Sequence, residues 1–189
     1  MTILRLIMAP TAEPVSIDVL KDHLKVDHND EDELLMTYLK SAREWAEGYT
    51  RRALLTQTLE MVLDDFPLTF SLALMRPPLQ SVTSVKYYDK DNVEATWTDY
   101  EVDARSEPGQ IHFNSMPGTA LLESGGVVVR YVAGYGNDPA LVPSPIVQGI
   151  LMTVAHWYEN RETINVGNIV TEVPLGAKML LKSKRSGWF

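Results

Sequence analysis

The 189 residues of the chain include no cysteine. This absence excludes disulfide bonds, cysteine-ligated zinc, iron–sulfur clusters and thiol catalysis. Long apolar runs are missing too, since none approaches the ~20 residues that a membrane-spanning helix needs. The first 14 residues hold one positive charge, Arg5, and an apolar run too short for a secretion signal. We therefore expect a soluble protein of the cell interior that has no membrane partner.

Sequence motifs for catalysis and ligand binding are also missing. The four histidines include no pair at the i, i+4 spacing of a zinc-binding helix. The acidic run 27–33 lacks the central glycine of a calcium loop. Gly134 and Gly136 are followed by Pro139, where a dinucleotide-binding loop has its third glycine. The sequence thus predicts no catalytic, cofactor or metal residue, although it leaves open a pair of carboxylates that meet only in the fold.

Positive charge is scarce in most of the chain. Residues 1–162 carry 13 basic and 24 acidic side chains, a net charge of −11, whereas residues 163–189 carry a net charge of +3. A DNA-binding domain usually presents a basic face, so the acidic body argues against general affinity for nucleic acid. The basic tail ends in two aromatic residues, which we expect to dock on a partner or on the body of the protein.

The clearest pattern in the chain is an amphipathic helix from Asn29 to Leu55. Its apolar residues recur at the spacing of one helical stripe: Leu34, Leu35, Tyr38, Leu39, Ala42, Trp45, Ala46 and Tyr49. Asn29 or the residue after it is expected to cap the first turn, where acidic residues 31–33 suit the helix dipole. The opposite face of this helix carries Met36, Lys40, Arg43 and Glu47.

Two further helices are predicted around this one. Ser16 is expected to cap a short helix before it, and the brief polar break at 25–29 predicts that the two form an αα-hairpin. Ser144, followed by a proline, is expected to start a late helix that runs to about Arg161. The apolar stripe of the late helix matches that of the 29–55 helix, so we expect the two to pack together.

The middle of the chain predicts strands. Residues 56–133 contain short β-branched and aromatic runs separated by turn residues, among them a hairpin of 82–89 with 93–102 and a clear strand at 127–133. The predicted fold is therefore α+β. A helical core of residues 1–55 and 140–162 carries an inserted, mostly antiparallel β lobe at 56–139, and residues 163–189 form an extended C-terminal tail.

Four segments, in this order, resemble the bacteriophage head–tail connector (adaptor) family, the type with a helical core and an inserted β domain. They run from about Val15 to Glu162 and read EPVSIDVLKDHLKVDHNDEDELLMTYLKSAREWAEGYTRRAL, PPLQSVTSVKYYD, VVVRYVAGYG and VPSPIVQGILMTVAHWYENRE. The tail after Glu162 does not match. The resemblance implies a structural virion protein that forms rings, commonly twelve-fold, at the head–tail junction.

The resemblance also implies partners. These are further copies of the chain, the portal protein and the next head-closure or tail protein, while DNA passes through the channel without specific binding. The protein would lie in the virion, and in the host cytoplasm during assembly. The candidate contacts between ring neighbours are Met36, Lys40, Arg43 and Glu47. The candidate portal-docking residues are Lys178, Lys182, Lys184, Arg185, Trp188 and Phe189.

Three other interpretations remain open from the residues. The first is a related virion role, as a head-closure or tail-completion protein. The second is an enzyme with a carboxylate site in the β lobe, which would need a deep pocket with converging acids. The third is a DNA-binding module, which would show salt-dependent retention of DNA.

Overall fold

The computed structural model describes residues 2–161 and 173–187, and these residues form two compact units. Residues 2–10 and 56–135 make up the first, which we call the β unit. Residues 11–55, 136–161 and 173–187 make up the second, which we call the helical unit. The predicted α+β fold class is confirmed, because each unit is dominated by one type of secondary structure.

The helical unit contains four helices. They are α1 (Ile17–Leu24), α2 (Asp32–Thr50), α3 (Ser144–Glu159) and α4 (Leu175–Lys182), with a short 3-10 turn at Pro139–Leu141 before α3. Helix α2 packs against α3, and α4 packs against both α3 and α2. None of the helices within 2–161 and 173–187 has the length and apolar composition that crossing a bilayer requires.

The stripe predicted on α2 is its buried face. Leu35, Leu39, Ala42 and Ala46 are completely buried, and the aromatic members of the stripe flank them. Tyr38 lies edge-to-face against Trp157 of α3, with 6.4 Å between ring centroids. The expected packing of these two helices is therefore confirmed.

The helix starts agree only in part with the predicted caps. The Val19 backbone N–H donates to Ser16 Oγ at 3.3 Å, so Ser16 caps α1 as predicted. Asn29 does not cap α2, because its side-chain oxygen accepts a hydrogen bond from Lys21 Nζ and Glu31 occupies the cap position. Helix α2 ends at Thr50, earlier than predicted, where the chain turns into the left-handed region.

The start of α3 also differs from its prediction. Ser144 is the first residue of the helix, and Pro143 holds the cap position without a side-chain hydrogen bond. The backbone N–H of Ile146 donates to the carbonyl oxygen of Pro143 at 2.8 Å. The turn is thus closed by backbone groups, which a search for a capping side chain does not detect.

The β unit contains eight strands in two antiparallel sheets. They are β1 (Thr2–Met8), β2 (Gln57–Leu63), β3 (Ser71–Ala73), β4 (Leu79–Tyr88), β5 (Glu94–Trp97), β6 (Tyr100–Asp103), β7 (Gln110–Phe113) and β8 (Val127–Ala133). The larger sheet has the order β1-β2-β8-β4-β5, and the smaller has the order β3-β7-β6. The core holds buried residues from both sheets, among them Met61, Val85, Tyr131, Ile111 and Phe113.

An aromatic cluster connects the two sheets. The ring of Phe66 meets Phe113 of β7 at 5.2 Å and Trp97 of β5 at 6.4 Å, both edge-to-face. Such pairs add to the free energy gained from burying their area. The predicted hairpin strand at 93–102 is divided at this point, since β5 pairs with β4 whereas β6 joins the smaller sheet.

Two predicted extended segments form regular structure. Residues 2–8, predicted as an arm of the helical core, form β1 at the edge of the larger sheet. Their seven residues show no alternation of apolar and polar side chains, and their partner strand is some fifty residues away along the chain. Residues 175–182, predicted as part of an extended tail, form α4, whose two turns are too short to show a clear period.

Candidate assembly surfaces

Two of the four residues of α2 that the sequence suggested as contacts with a ring neighbour are buried in the fold. Arg43 is 3% exposed and Glu47 is 7% exposed. The Arg43 guanidinium donates to Glu13 at 2.7 Å and to Glu47 at 3.3 Å. The other carboxylate oxygen of Glu47 accepts from the Leu54 backbone N–H at 2.9 Å. This network ties the segment before α1 and the segment after α2 to the helix, and it leaves these two side chains no free surface.

The other two predicted contacts remain on the surface. Lys40 is exposed, and Met36 is 41% exposed although its side chain is apolar. Met36 is one of the residues that line a groove of about 740 Å³ in the helical unit. The groove is lined mainly by apolar groups from residues 12–19 and 138–147, including Val19 and Val142. An open, apolar groove beside exposed apolar side chains is suited to protein contact rather than to holding a small charged substrate.

One acid of this groove has an altered pKa. Burial raises the pKa of Glu13 above its ordinary value, and the charge and hydrogen bond of Arg43 oppose that shift. Glu13 thus links the groove to the buried network of α2. The other acid that lines the groove, Asp138, accepts a hydrogen bond from the Ala140 backbone N–H at 2.9 Å.

The basic residues near the C-terminus lie on α4 and in the segment directly after it, which is docked against the helical unit. The Ser186 backbone N–H donates to the Thr50 carbonyl oxygen at 2.8 Å, and the Arg185 guanidinium lies 5.7 Å from the Tyr49 ring centroid. Leu181 is fully buried on the inner side of α4. Lys182 and Arg185 are exposed, while Lys178 and Lys184 are half-buried. Trp188 and Phe189 lie outside the described residues.

The end of α3 is held by a small polar cluster. The Tyr158 hydroxyl and the Arg161 guanidinium both donate to the carboxylate of Glu31, the latter at 2.6 Å. The hydrogen bond from Tyr158, followed by that from Arg161, lowers the pKa of Glu31. Because Glu31 stands directly before α2, this cluster joins the start of one helix to the end of the other.

The outer face of the larger sheet carries a ladder of ion pairs. Glu60 of β2 accepts from Arg130 of β8 at 2.8 Å and lies 3.8 Å from Arg5 of β1. Farther along the same face, Glu94 accepts from Lys86 and from the Tyr88 hydroxyl, both at 2.6 Å. The hydrogen bond from Lys86, more than that from Tyr88, lowers the pKa of Glu94. These charges neutralise one another across strands, so they offer no unpaired acid or base for chemistry.

The edge of this sheet is a feature that the sequence alone did not identify. Among the strands of the described residues, β1 pairs with β2 alone, and its side chains are largely exposed although five of the seven are apolar. Leu6 is 53% exposed and Met8 is 63% exposed. The sequence feature that could have indicated this strand is the apolar run TILRLIM, which lacks the periodicity of a helix.

No metal-binding cluster is found within residues 2–161 and 173–187, where no group of three histidine or carboxylate side chains could hold an ion. A polar depression of about 410 Å³ in the β unit is lined by the paired charges of the sheet face, including Glu60 and Arg130.

Comparison with known sequences identifies one family. Residues 14–107 match the model of a family described as phage gp6-like head-tail connector protein. The matched segment spans α1, α2 and the strands from β2 to β6. A search of curated proteins finds no match.

Comparison with solved structures shows the same fold over nearly the whole chain. A chain from the "neck of empty GTA particle computed with C6 symmetry" is 23% identical with a TM-score of 0.79, and the alignment covers 97% of this chain and 95% of that one. A chain from the "virion of native gene transfer agent (GTA) particle" is 21% identical with a TM-score of 0.81 at the same coverage. A third, from the "neck of native GTA particle computed with C12 symmetry", is 23% identical with a TM-score of 0.76, again at 97% and 95%.

Proposed function

We propose, from the premise that this chain is a bacteriophage head–tail connector protein of the gp6-like family, that its copies form a ring between the portal vertex and the tail. The observation that carries this function is the family match over residues 14–107. Support for a ring comes from the solved structures of the same fold, which are described as particle necks with sixfold and twelvefold symmetry. The protein would act in the virion neck, after assembly in the host cytoplasm.

The proposed role is structural, without catalysis. The ion pairs on the sheet face are mutually neutralised, and the altered acid Glu13 is paired with Arg43. DNA would pass through the ring without being held, because residues 1–162 carry a net charge of −11 and repel the phosphates.

The surfaces proposed for contact are those that remain exposed. Met36, Lys40 and the adjoining apolar groove would face a ring neighbour. The basic outer side of α4 and the residues after it would face the portal protein. Lys182 and Arg185 are the exposed members of that set, with Lys178 and Lys184 at its margin. Trp188 and Phe189 complete the proposed portal-docking set.

The ring is tested by measuring molar mass. Light scattering of the purified chain, alone and mixed with the portal protein of the same phage, should show a species of six or more copies in at least the mixture. A chain that stays monomeric in both samples contradicts the ring. Binding to a tail-completion protein but not to the portal would favour the alternative role as a head-closure or tail-completion protein.

The portal contact is tested by reversing charge without removing α4. The double variant Lys182→Glu, Arg185→Glu should lose co-purification with the portal protein. The matched control is Lys90→Glu, Arg105→Glu, which makes the same change at two exposed positions of the β unit. Equal retention of the two variants would reject the proposed docking surface.

A further inference from the structure

Strand β1 presents an open edge. It pairs with β2 from Thr2 to Met8, and no strand within the described residues pairs with its other side. Backbone N–H and C=O groups on the open side of such a strand form a template for another strand. Both faces of β1 are also accessible, since six of its seven residues are exposed and Leu4 is half-buried. The edge therefore offers backbone hydrogen bonds and apolar contact together.

The usual protections of an edge strand are weak here. Soluble proteins cover such edges or protect them with lysine, proline, inward charges or bulges. Strand β1 contains no lysine or proline, and its one charge, Arg5, lies 3.8 Å from Glu60. A single irregularity in pairing falls between Leu6 and Met8. Exposed apolar side chains on an unprotected edge indicate an interface in the assembled protein.

The same sheet has a second open stretch of matching length. Strand β5 covers β4 only from Val85 to Tyr88, so no described strand pairs with the other side of Leu79–Ser84. On the inner side this stretch pairs with β8, with irregularities between Leu79 and Ser81 and between Val82 and Ser84. Gln80, Ser81 and Thr83 in this stretch are exposed, and none of the six residues is charged. The strand β1 of another copy, whose one charge is Arg5, could be added here without an unfavourable charge contact.

The strand directions suit this pairing. Three antiparallel steps, β1 to β2, β2 to β8 and β8 to β4, make β1 and β4 run in opposite directions. A second copy placed next to the first along the sheet, in the same orientation, would present its β1 antiparallel to β4. The contact would join two different surfaces, and such head-to-tail contacts generate rings when the rotation closes. Pairing of β1 with β1 would instead give a twofold dimer.

We propose that β1 of each copy pairs antiparallel with residues 79–84 of β4 in the neighbouring copy, so that the larger sheet continues from one subunit to the next. This inference rests on the ring of the proposed function. The proposed contact supplies hydrogen bonds through the backbone and buries Ile3, Leu6, Ile7 and Met8. This contact is separate from the one proposed at the Met36 groove, which lies in the helical unit.

Cysteine cross-linking tests the contact, and the absence of native cysteine makes every cross-link assignable. Ile3→Cys and Ser84→Cys are made singly and together, because directly opposed residues of antiparallel strands lie about 5 Å apart at Cβ. A short bismaleimide tolerates a register shifted by one residue pair. With the double variant assembled as a ring, we expect a ladder of covalent oligomers, and with either single variant none.

The outcomes separate this inference from the proposed function. A ring by light scattering without cross-links in the double variant overturns the sheet contact and leaves the ring intact. Dimers from Ile3→Cys alone show that β1 pairs with itself and also overturn it. A chain that forms neither ring nor cross-link, alone or with the portal protein, rejects both.

A charge on the edge provides a second test. The double variant Ile7→Lys, Met8→Lys adds the lysines that protect natural edges and should raise the concentration needed for ring assembly at least about tenfold. The control is Leu68→Lys, at a residue that is 93% exposed in the same unit but outside both open edges. Circular dichroism should show equal thermal unfolding for the variants and the parent. Equal assembly of the edge variant and the control would contradict the proposal.

Discussion

The sequence suggests that Arg43 is a surface residue, but the structure shows that it is buried. On a helical projection it lies on the polar side of α2, next to the apolar stripe. In the fold it is enclosed, with the carboxylates of Glu13, Glu44 and Glu47 within 3.4 Å of its guanidinium. Two of these carboxylates are themselves largely buried. The arginine therefore compensates buried negative charge, and its removal affects stability before it affects assembly.

We expect Arg43→Ala to lower the free energy of unfolding by about 3 kcal/mol, because removing one partner leaves buried charge uncompensated. Urea titration at neutral pH measures the change. Lys40→Ala on the exposed side of the same helix is the control and should stay within about 0.5 kcal/mol of the parent. Similar losses for the two variants would contradict the buried network.

The pKa of Glu13 predicts a pH dependence. Burial raises this pKa in the folded state, so the folded protein holds the proton of Glu13 to higher pH than the unfolded chain does. The contribution of Glu13 to stability is therefore fully present below its unfolded pKa of about 4.3 and falls as pH rises through the raised folded value.

The variant Glu13→Gln removes this titration. Between about pH 4.3 and 7, we expect the parent to lose stability relative to Glu13→Gln as pH rises. Urea titrations of both proteins across this range measure the difference. A difference that is constant with pH, or that changes in the opposite direction, would show that Glu13 is not desolvated in solution.

At the scale of elements, α4 depends on a close approach to α3. A Cβ atom at Gly149 would lie 2.9 Å from Cγ of Leu181, so the two helices meet where glycine leaves room. The residues after α4 support the same placement, because the Ser186 backbone N–H donates to the Thr50 carbonyl oxygen and the Arg52 guanidinium donates to the Lys184 carbonyl oxygen. Packing against α3 therefore stabilises the helical conformation of a short segment whose own apolar periodicity is weak.

Gly149→Leu should displace α4 and cost about 1–3 kcal/mol, as overpacking of a close contact does. Hydrogen exchange should become faster at residues 175–182 than at α1. Gly48→Ala on α2 is the matched control. Nothing lies within 4 Å of its added Cβ, so it should instead raise stability by about 1 kcal/mol through helix propensity. Unchanged exchange at 175–182 in Gly149→Leu would contradict the packing.

For the whole molecule, charge distribution predicts behaviour towards DNA. The net charge of −8 is the sum of an acidic body and a basic C-terminal segment. At about 0.15 M salt, where charges are screened beyond ~8 Å, a few exposed cations on α4 add little attraction. We expect no retention of duplex DNA in fluorescence anisotropy at this ionic strength. Binding to duplex DNA that weakens steeply as the salt concentration is raised would instead support the DNA-binding interpretation.

Much of the helical unit and the β unit was predictable from local pattern. The stripe of α2, the Ser16 cap and the strand at 127–133 follow from periodicity and short-range hydrogen bonding, which depend on neighbours in sequence. The candidate surfaces were less predictable. Met36 and Lys40 are exposed as expected, whereas Arg43 and Glu47 are buried. Apolar periodicity does not show which charged residues beside the stripe will be paired and enclosed in the fold.

By itself, then, the sequence determined the α+β class, the α2–α3 pairing and the acidic body, since each depends on composition or on residues a few positions apart. Only the tertiary structure decided that residues 2–8 form an edge strand, that residues 175–182 form a helix, and that Arg43 is enclosed. Each of these depends on a partner distant in sequence: β2 for the strand, Gly149 for the helix and Glu13 for the arginine. Contacts between residues that are distant in sequence produce no periodic pattern within either segment, so sequence periodicity does not reveal them.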